Sequence, residues 1–217
     1  MNVVVYVEGP ADEAVMRTLL RPLLERKAQL GIAIDFFEAP SGNKKASVLT
    51  KVPVAAVNIL RNNPLAIVIA VPDLYPRNIG FPHETVQELR DGMMDLFNRT
   101  LVKKGIDDIR LAERFHVFCF KHDLEALVLS DPEALRNRLN VESLVPTWTI
   151  PVEDQNHDRP PKRVVEDLFR EQGMRYKGAV DASLMLKDAD YRIIAERCFQ
   201  CFKPFVQFLE NLGLHTM

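Results

Sequence analysis

Four short apolar runs, at residues 3–7, 32–37, 65–71 and 115–120, are separated by stretches of helical periodicity. Strands that are apolar at nearly every position have both faces covered, as parallel strands between two layers of helix do. The resulting βαβ rhythm predicts an α/β chain with a mostly parallel sheet flanked by helices. Helices are predicted from Ala11 to just before Gly31, over 46–61, and over 84–104, where Gly105 stops the third. Shorter helices are expected at 122–129 and 132–139, the latter N-capped by Asp131.

Residues 146–161, PTWTIPVEDQNHDRPP, are proline-rich and aperiodic and read as a loop, an active-site flap or a linker. Helices are predicted beyond it at 162–172, 179–186 and 189–212, with Phe199, Phe202, Phe205 and Phe208 forming a core stripe on the last. The chain therefore divides into an α/β core (1–145), the proline-rich loop (146–161) and a helical extension packed on the core (162–217).

A formal charge of −2 argues against a general nucleic-acid coat but leaves room for a local basic groove. Cys119, Cys198 and Cys201 do not make a disulfide framework, and the N-terminus lacks the pattern of a signal peptide, so a cytoplasmic protein is expected. No run approaches the roughly 18 apolar residues of a membrane span. Cys198-Phe-Gln-Cys201 stands alone, without a second ligand pair, and reads as buried structural cysteine.

The candidate chemistry lies at strand ends. The first run leads into Glu8-Gly9 and then Asp12, and the third ends Pro72-Asp73-Leu74-Tyr75. Carboxylates at the carboxyl edge of such a sheet are hard oxygen ligands for Mg²⁺ or Mn²⁺. Glu125 falls inside an apolar helical stretch, a costly place for a carboxylate unless it is paired or holds a metal. Asp131 is explained by capping alone. Between Ala39 and Pro72 there is no acid, and Ser41-Gly42-Asn43-Lys44-Lys45 forms a basic turn suited to phosphate, or simply solvated. Asp73 and Lys121, each at a strand end, also allow a receiver-like phosphoacceptor pair.

With Glu8-Gly9-x-x-Asp12-Glu13, Asp73, His122-Asp-Leu-Glu125-Ala-Leu and Pro160-Pro161-Lys162, the chain resembles the OLD-like branch of TOPRIM nucleases, in particular small stand-alone bacterial families that begin VEGxTE. The resemblance implies a Rossmann-like TOPRIM core and Mg²⁺- or Mn²⁺-dependent hydrolysis of DNA phosphodiesters. By position, Glu8 matches the first acid, Asp12 the second, Asp73 the first acid of a DxD motif, and Glu125, or Asp131, the acid of a second metal site. Tyr75 replaces the second DxD acid, which either shifts coordination or marks a lost site. Lys162 is the first choice for the lysine beside the phosphate, so Glu8, Asp73 and Lys162 are the expected catalytic set. Lys44, Lys121 and Lys177 stand behind Lys162, and Lys45 joins them from the basic turn. The resemblance further implies DNA and an ABC-type or AAA-type ATPase as partners, a link to phage defence, and compatibility with a homodimer. A non-catalytic scaffold is the alternative.

Overall fold

The computed structural model describes residues 1–40 and 42–213; Ser41 of the basic turn, and the last four residues of the predicted helical extension, lie outside them. Among the described residues the strands are β1 (Asn2–Val7), β2 (Ala33–Glu38), β3 (Ala66–Val71) and β4 (Phe115–Val117). They form one sheet in the order β2-β1-β3-β4, every pair parallel. This is the α/β arrangement that the apolar rhythm predicts. Regular pairing in the fourth strand stops at Val117 rather than Phe120; beyond it the chain stays tied to β3 by Phe118 N donating to Ala70 O, Phe120 N donating to Pro72 O and a single bridge to Asp73.

Alternate side chains of each strand serve different layers. Val3, Val5 and Val7 with Ile69 and Val71 face one apolar cluster, and Val68 and Ala70 face the other. The second cluster is closed by α3 (Lys44–Asn62) and α4 (Val86–Lys103). Thr85 and Glu88 form a reciprocal capping box at the start of α4. Gly92 of α4 leaves room for the Phe81 ring, which a Cβ there would meet at 2.2 Å, so the loop after β3 can lie flat on this helix.

The first cluster is closed by α1 (Pro10–Leu19), α2 (Arg21–Gln29) and the segments α5 (Glu125–Leu129), α6 (Pro132–Leu139), α7 (Pro161–Glu171), α8 (Ala179–Leu186), α9 (Tyr191–Arg197) and α10 (Phe202–Asn211). Two predicted helices are broken. The first divides at Leu20, because Pro22 supplies no N–H to continue the ladder. The last divides at 198–201, so the phenylalanines do not form one stripe: Phe199 is 52% exposed, whereas Phe202 and Phe205 are buried against Phe120 and Phe36.

The proline-rich loop is tied down rather than free. Trp148, Val152, Glu153 and Gln155 are buried, and the Gln155 amide accepts from Thr149 N and donates to Arg159 O, both at 2.8 Å. Glu153, in a 3₁₀ turn over Val152–Asp154, accepts from Gln200 N at 2.7 Å and Cys201 N at 2.8 Å, fixing the start of α10. At the opposite edge of the sheet, the Arg114 guanidinium donates to the carbonyls of Leu60, Asn63, Pro64 and Ala66. None of the helices among the described residues is long and apolar enough to cross a membrane.

Candidate metal and phosphate site

From β1 the chain crosses to β2 on one side, and β3 then returns to β1's other side, so the strand order reverses between β1 and β3. A crevice opens at the carboxyl ends of the strands at such a point. Val7 pairs with Val71, which places Glu8 and Asp73 just past the ends of two adjacent strands. Asp73 N donates to Glu8 Oε1 at 3.1 Å. Asp12 reaches the same place from the first turn of α1, where its Oδ2 accepts from Gly9 N at 2.9 Å. Glu8, Asp12 and Asp73 line one small cavity together with Val7, Val71 and Phe120.

Two further acids approach from the chain after β4. Glu125, 6% exposed at the start of α5, accepts from Tyr176 Oη at 3.1 Å. Asp123 accepts from the backbone N–H of Lys162 at 3.2 Å, at the N-terminus of α7. Sequence reasoning passes over Asp123; the alternation Asp123-Leu124-Glu125 after a strand is the signal that could have found it.

All five carboxylates hold their protons more tightly than free acids do. Burial pushes Asp73 well up, and the charges of Glu8, Asp12 and Asp123 add to it. Glu8 is raised by burial, against the opposing Asp73 N–H and Lys45. Asp12 is raised by burial, against the Gly9 N–H, Lys44 and Lys162. Burial, and then Glu125, lift Asp123 to about 7. Glu125 is itself raised by burial, with Lys162 opposing.

A carboxyl whose folded pKa lies above its unfolded value contributes stability that is fully present below the unfolded pKa and is lost as pH rises through the folded one. The Asp123 carboxyl, raised to about 7, should therefore contribute stability to the metal-free protein that grows as pH falls through about 7 toward the ordinary carboxylate range, against the opposing contribution of His116 and His122, whose pKa values burial lowers. Urea unfolding at stepped pH in a chelating buffer would check this. A stability that instead falls steadily over that window would contradict the electrostatics described.

The predicted lysines separate into two groups. Lys44 and Lys45 begin α3 and act on the acids: Lys44 on Glu8 and Asp12, Lys45 on Glu8 and Asp73. Lys44 Nζ would lie 3.0 Å from a Cβ at Gly9, so the turn after β1 closes against it. Lys45 is 5% exposed, and its Nζ is buried without a hydrogen-bond partner. Burial lowers its pKa, while Glu8 and Asp73 oppose that. Lys162 acts on Asp12, Asp123 and Glu125.

Lys121 and Lys177 do not join them. Lys121 Nζ donates to Asp154 Oδ1 at 2.8 Å and to Gln200, which anchors the loop and takes Lys121 away from the receiver-like pairing with Asp73. Lys177 is exposed, and its backbone N–H donates to Asp181. Asp131 is an N-cap, with Oδ1 accepting from Ala134 N at 3.2 Å. Asp131→Ala should cost about 1 kcal/mol of stability and leave ion binding unchanged, read by urea unfolding and by Mn²⁺ titration.

Tyr75 supplies an aromatic group where the DxD pattern has its second acid. Its ring stacks with those of His122 and His157, at 5.3 and 4.1 Å, and Arg77 donates to its hydroxyl. Among the described residues no group of three or more His, Cys, Asp or Glu is arranged to hold a metal ion as it stands. The donor chemistry nevertheless fits a hard divalent cation. Glu8, Asp12 and Asp73 offer carboxylate oxygens around one cavity, where burial penalises their charged forms and a bound cation would relieve that penalty. Cys198 and Cys201 are buried and pushed up to about 12, so neither is a ready thiolate.

Comparison with known proteins places the chain. Among curated proteins no sequence match is found. Among similar solved structures are the C-terminal region of the Burkholderia pseudomallei OLD protein, at 16% identity and TM-score 0.46 over 96% of each chain, and that of the Xanthomonas campestris pv. campestris OLD protein, at 15% and 0.41 over 95% of this chain and 96% of that one. Residues 7–210 match the family described as Domain of unknown function (DUF4276), and the chain belongs to that family.

Proposed function

We propose that this chain is a divalent-metal-dependent nuclease that hydrolyses DNA phosphodiesters in company with an ATPase partner, as its resemblance to OLD-like TOPRIM nucleases implies. The observation that carries the reading is the convergence of Glu8, Asp12 and Asp73 at the strand-order reversal, with Asp123 and Glu125 beside them and Lys44, Lys45 and Lys162 around them. Glu8, Asp12 and Asp73 would hold Mg²⁺ or Mn²⁺. Such an ion, when bound, polarises a phosphoryl oxygen and acidifies a water. The chain's own contribution is to bind and orient. Lys162 sets a positive charge beside Asp123 at a helix N-terminus, where a phosphate oxygen is favoured. Val7, Val71 and Phe120 give the same cavity an apolar part of its lining.

The test is cleavage of supercoiled plasmid by the purified chain with Mn²⁺, with and without chelator, beside Glu8→Gln. Cleavage that needs the ion and is lost in the variant supports the reading. Cleavage untouched by Glu8→Gln overturns it. A second reading, a non-catalytic scaffold for a partner protein or nucleic acid, is favoured by Tyr75, which brings Arg77 and two histidines where the motif has a ligand. A folded chain that binds no divalent ion would favour it.

A further inference from the structure

We infer that the stacked rings of Tyr75, His122 and His157 form a platform for an unpaired nucleobase beside the acids, so that the substrate of this site is single-stranded DNA. The inference rests on the nuclease reading and deepens it by naming the form of the nucleic acid.

The backbone builds the stack. Asp73 bridges Phe120 beyond the ends of β3 and β4, and the residues two positions past that bridge on the two chains are Tyr75 and His122. Their rings lie 5.3 Å apart with 20° between the planes. His157, from the proline-rich loop, stacks on Tyr75 at 4.1 Å and 19°. The Arg77 guanidinium lies 4.7 Å from the centre of the Tyr75 ring and donates to its hydroxyl, which holds the ring in place. At most about 7 Å of extended chain separates Asp73 from Tyr75, and Asp123 follows His122 directly. A base on these rings therefore carries its phosphate toward the acids.

Fastening the loop does not account for the stack. Trp148, Val152, Glu153 and Gln155 already hold that loop through buried contacts and hydrogen bonds. His157 is exposed by contrast, and its imidazole makes no hydrogen bond among the described residues. Tyr75 covers one face of the imidazole, and the stack ends there in solvent. A ring fixed on one side and open on the other can take a base of any sequence, because every base has a π-face. A base inside a duplex has neighbours on both faces and must be unstacked, at a cost, before it can meet a ring. Arg77, also exposed, gives one N–H to Glu84 at 3.0 Å and one to Tyr75, which leaves further donors for an adjoining phosphate.

The experiment measures, by fluorescence anisotropy in a chelating buffer, binding of a labelled short oligothymidine, an abasic strand with the same number of phosphates, and a duplex of the same length. The proteins are the unaltered chain, His157→Ala and His157→Phe, with a thermal melt to establish folding and Mn²⁺-dependent cleavage assayed in parallel. The unaltered chain should bind oligothymidine at least about 5-fold more tightly than the abasic strand, the low end of what one base–aromatic contact is worth. His157→Ala should bind the two strands alike and leave duplex binding unchanged, whereas His157→Phe should keep the preference, because the ring and not its nitrogens makes the contact. Equal binding of the two strands by the unaltered chain, or no binding of either, would overturn the inference, as would a full preference retained in His157→Ala. Mn²⁺-dependent cleavage that persists in those cases leaves the nuclease reading standing. A preference that His157→Ala abolishes, with no Mn²⁺-dependent cleavage by any form, would remove the nuclease reading and keep the platform as a single-strand contact. Should His157→Ala not fold, the comparison of the two strands on the unaltered chain decides.

Discussion

Asp73→Ala is expected to reduce Mn²⁺-dependent plasmid cleavage by at least about 100-fold, since disturbing even the supporting shell of a metal ligand costs up to about that much. The metal-free variant should be no less stable than the unaltered protein. Burial, and then the charges of Glu8, Asp12 and Asp123, raise the Asp73 pKa, while its own backbone N–H, which the substitution retains, holds Glu8. Removing it relieves repulsion without breaking that hydrogen bond. Cleavage and a thermal melt in chelator check both halves. A variant that cleaves normally would show that Asp73 is not a ligand, and one that unfolds would assign it a structural role instead.

Glu153→Ala should cost about 2–4 kcal/mol of stability, the combined worth of two hydrogen bonds to a charged, buried acceptor. Glu153 is 4% exposed and receives the N–H groups of Gln200 and Cys201, 47 and 48 residues away, so its loss leaves the start of α10 without acceptors and frees the proline-rich loop. Glu153→Gln, which retains one carbonyl oxygen, should lose about half as much. Urea unfolding at constant slope gives the value directly. A shift under about 0.5 kcal/mol, the size of an ordinary surface substitution, would mean that the loop is held by its apolar contacts alone.

The sheet was legible because parallel strands covered on both faces leave uninterrupted apolar runs, and the acids were legible because a carboxylate placed directly after such a run stands out at Glu8 and Asp73. Other features depend on contacts that no local pattern encodes. The break at Leu20 is in phase with the apolar stripe on both sides, and only Pro22 signalled it. Phenylalanines spaced by three hid the break at Cys201, since the spacing is the same whether or not the backbone turns. Lys121 sits at a strand end where a phosphate contact was reasonable, but Asp154, 33 residues on, claims it. Asp123 is the converse: ordinary in sequence, it becomes informative once its burial and neighbours are known.

Glu8 is held by a backbone N–H of the neighbouring strand's end rather than by a side chain. Its separation from Asp73 is therefore inherited from the β1–β3 register, and no exchange of surface residues can alter it. Tyr75, Arg77 and His157 lie outside that register and meet one another through side chains. Exchanging those three would leave the Glu8–Asp73 spacing where the backbone sets it, so the separation of the two acids can be held constant while the side chains beyond β3 are varied.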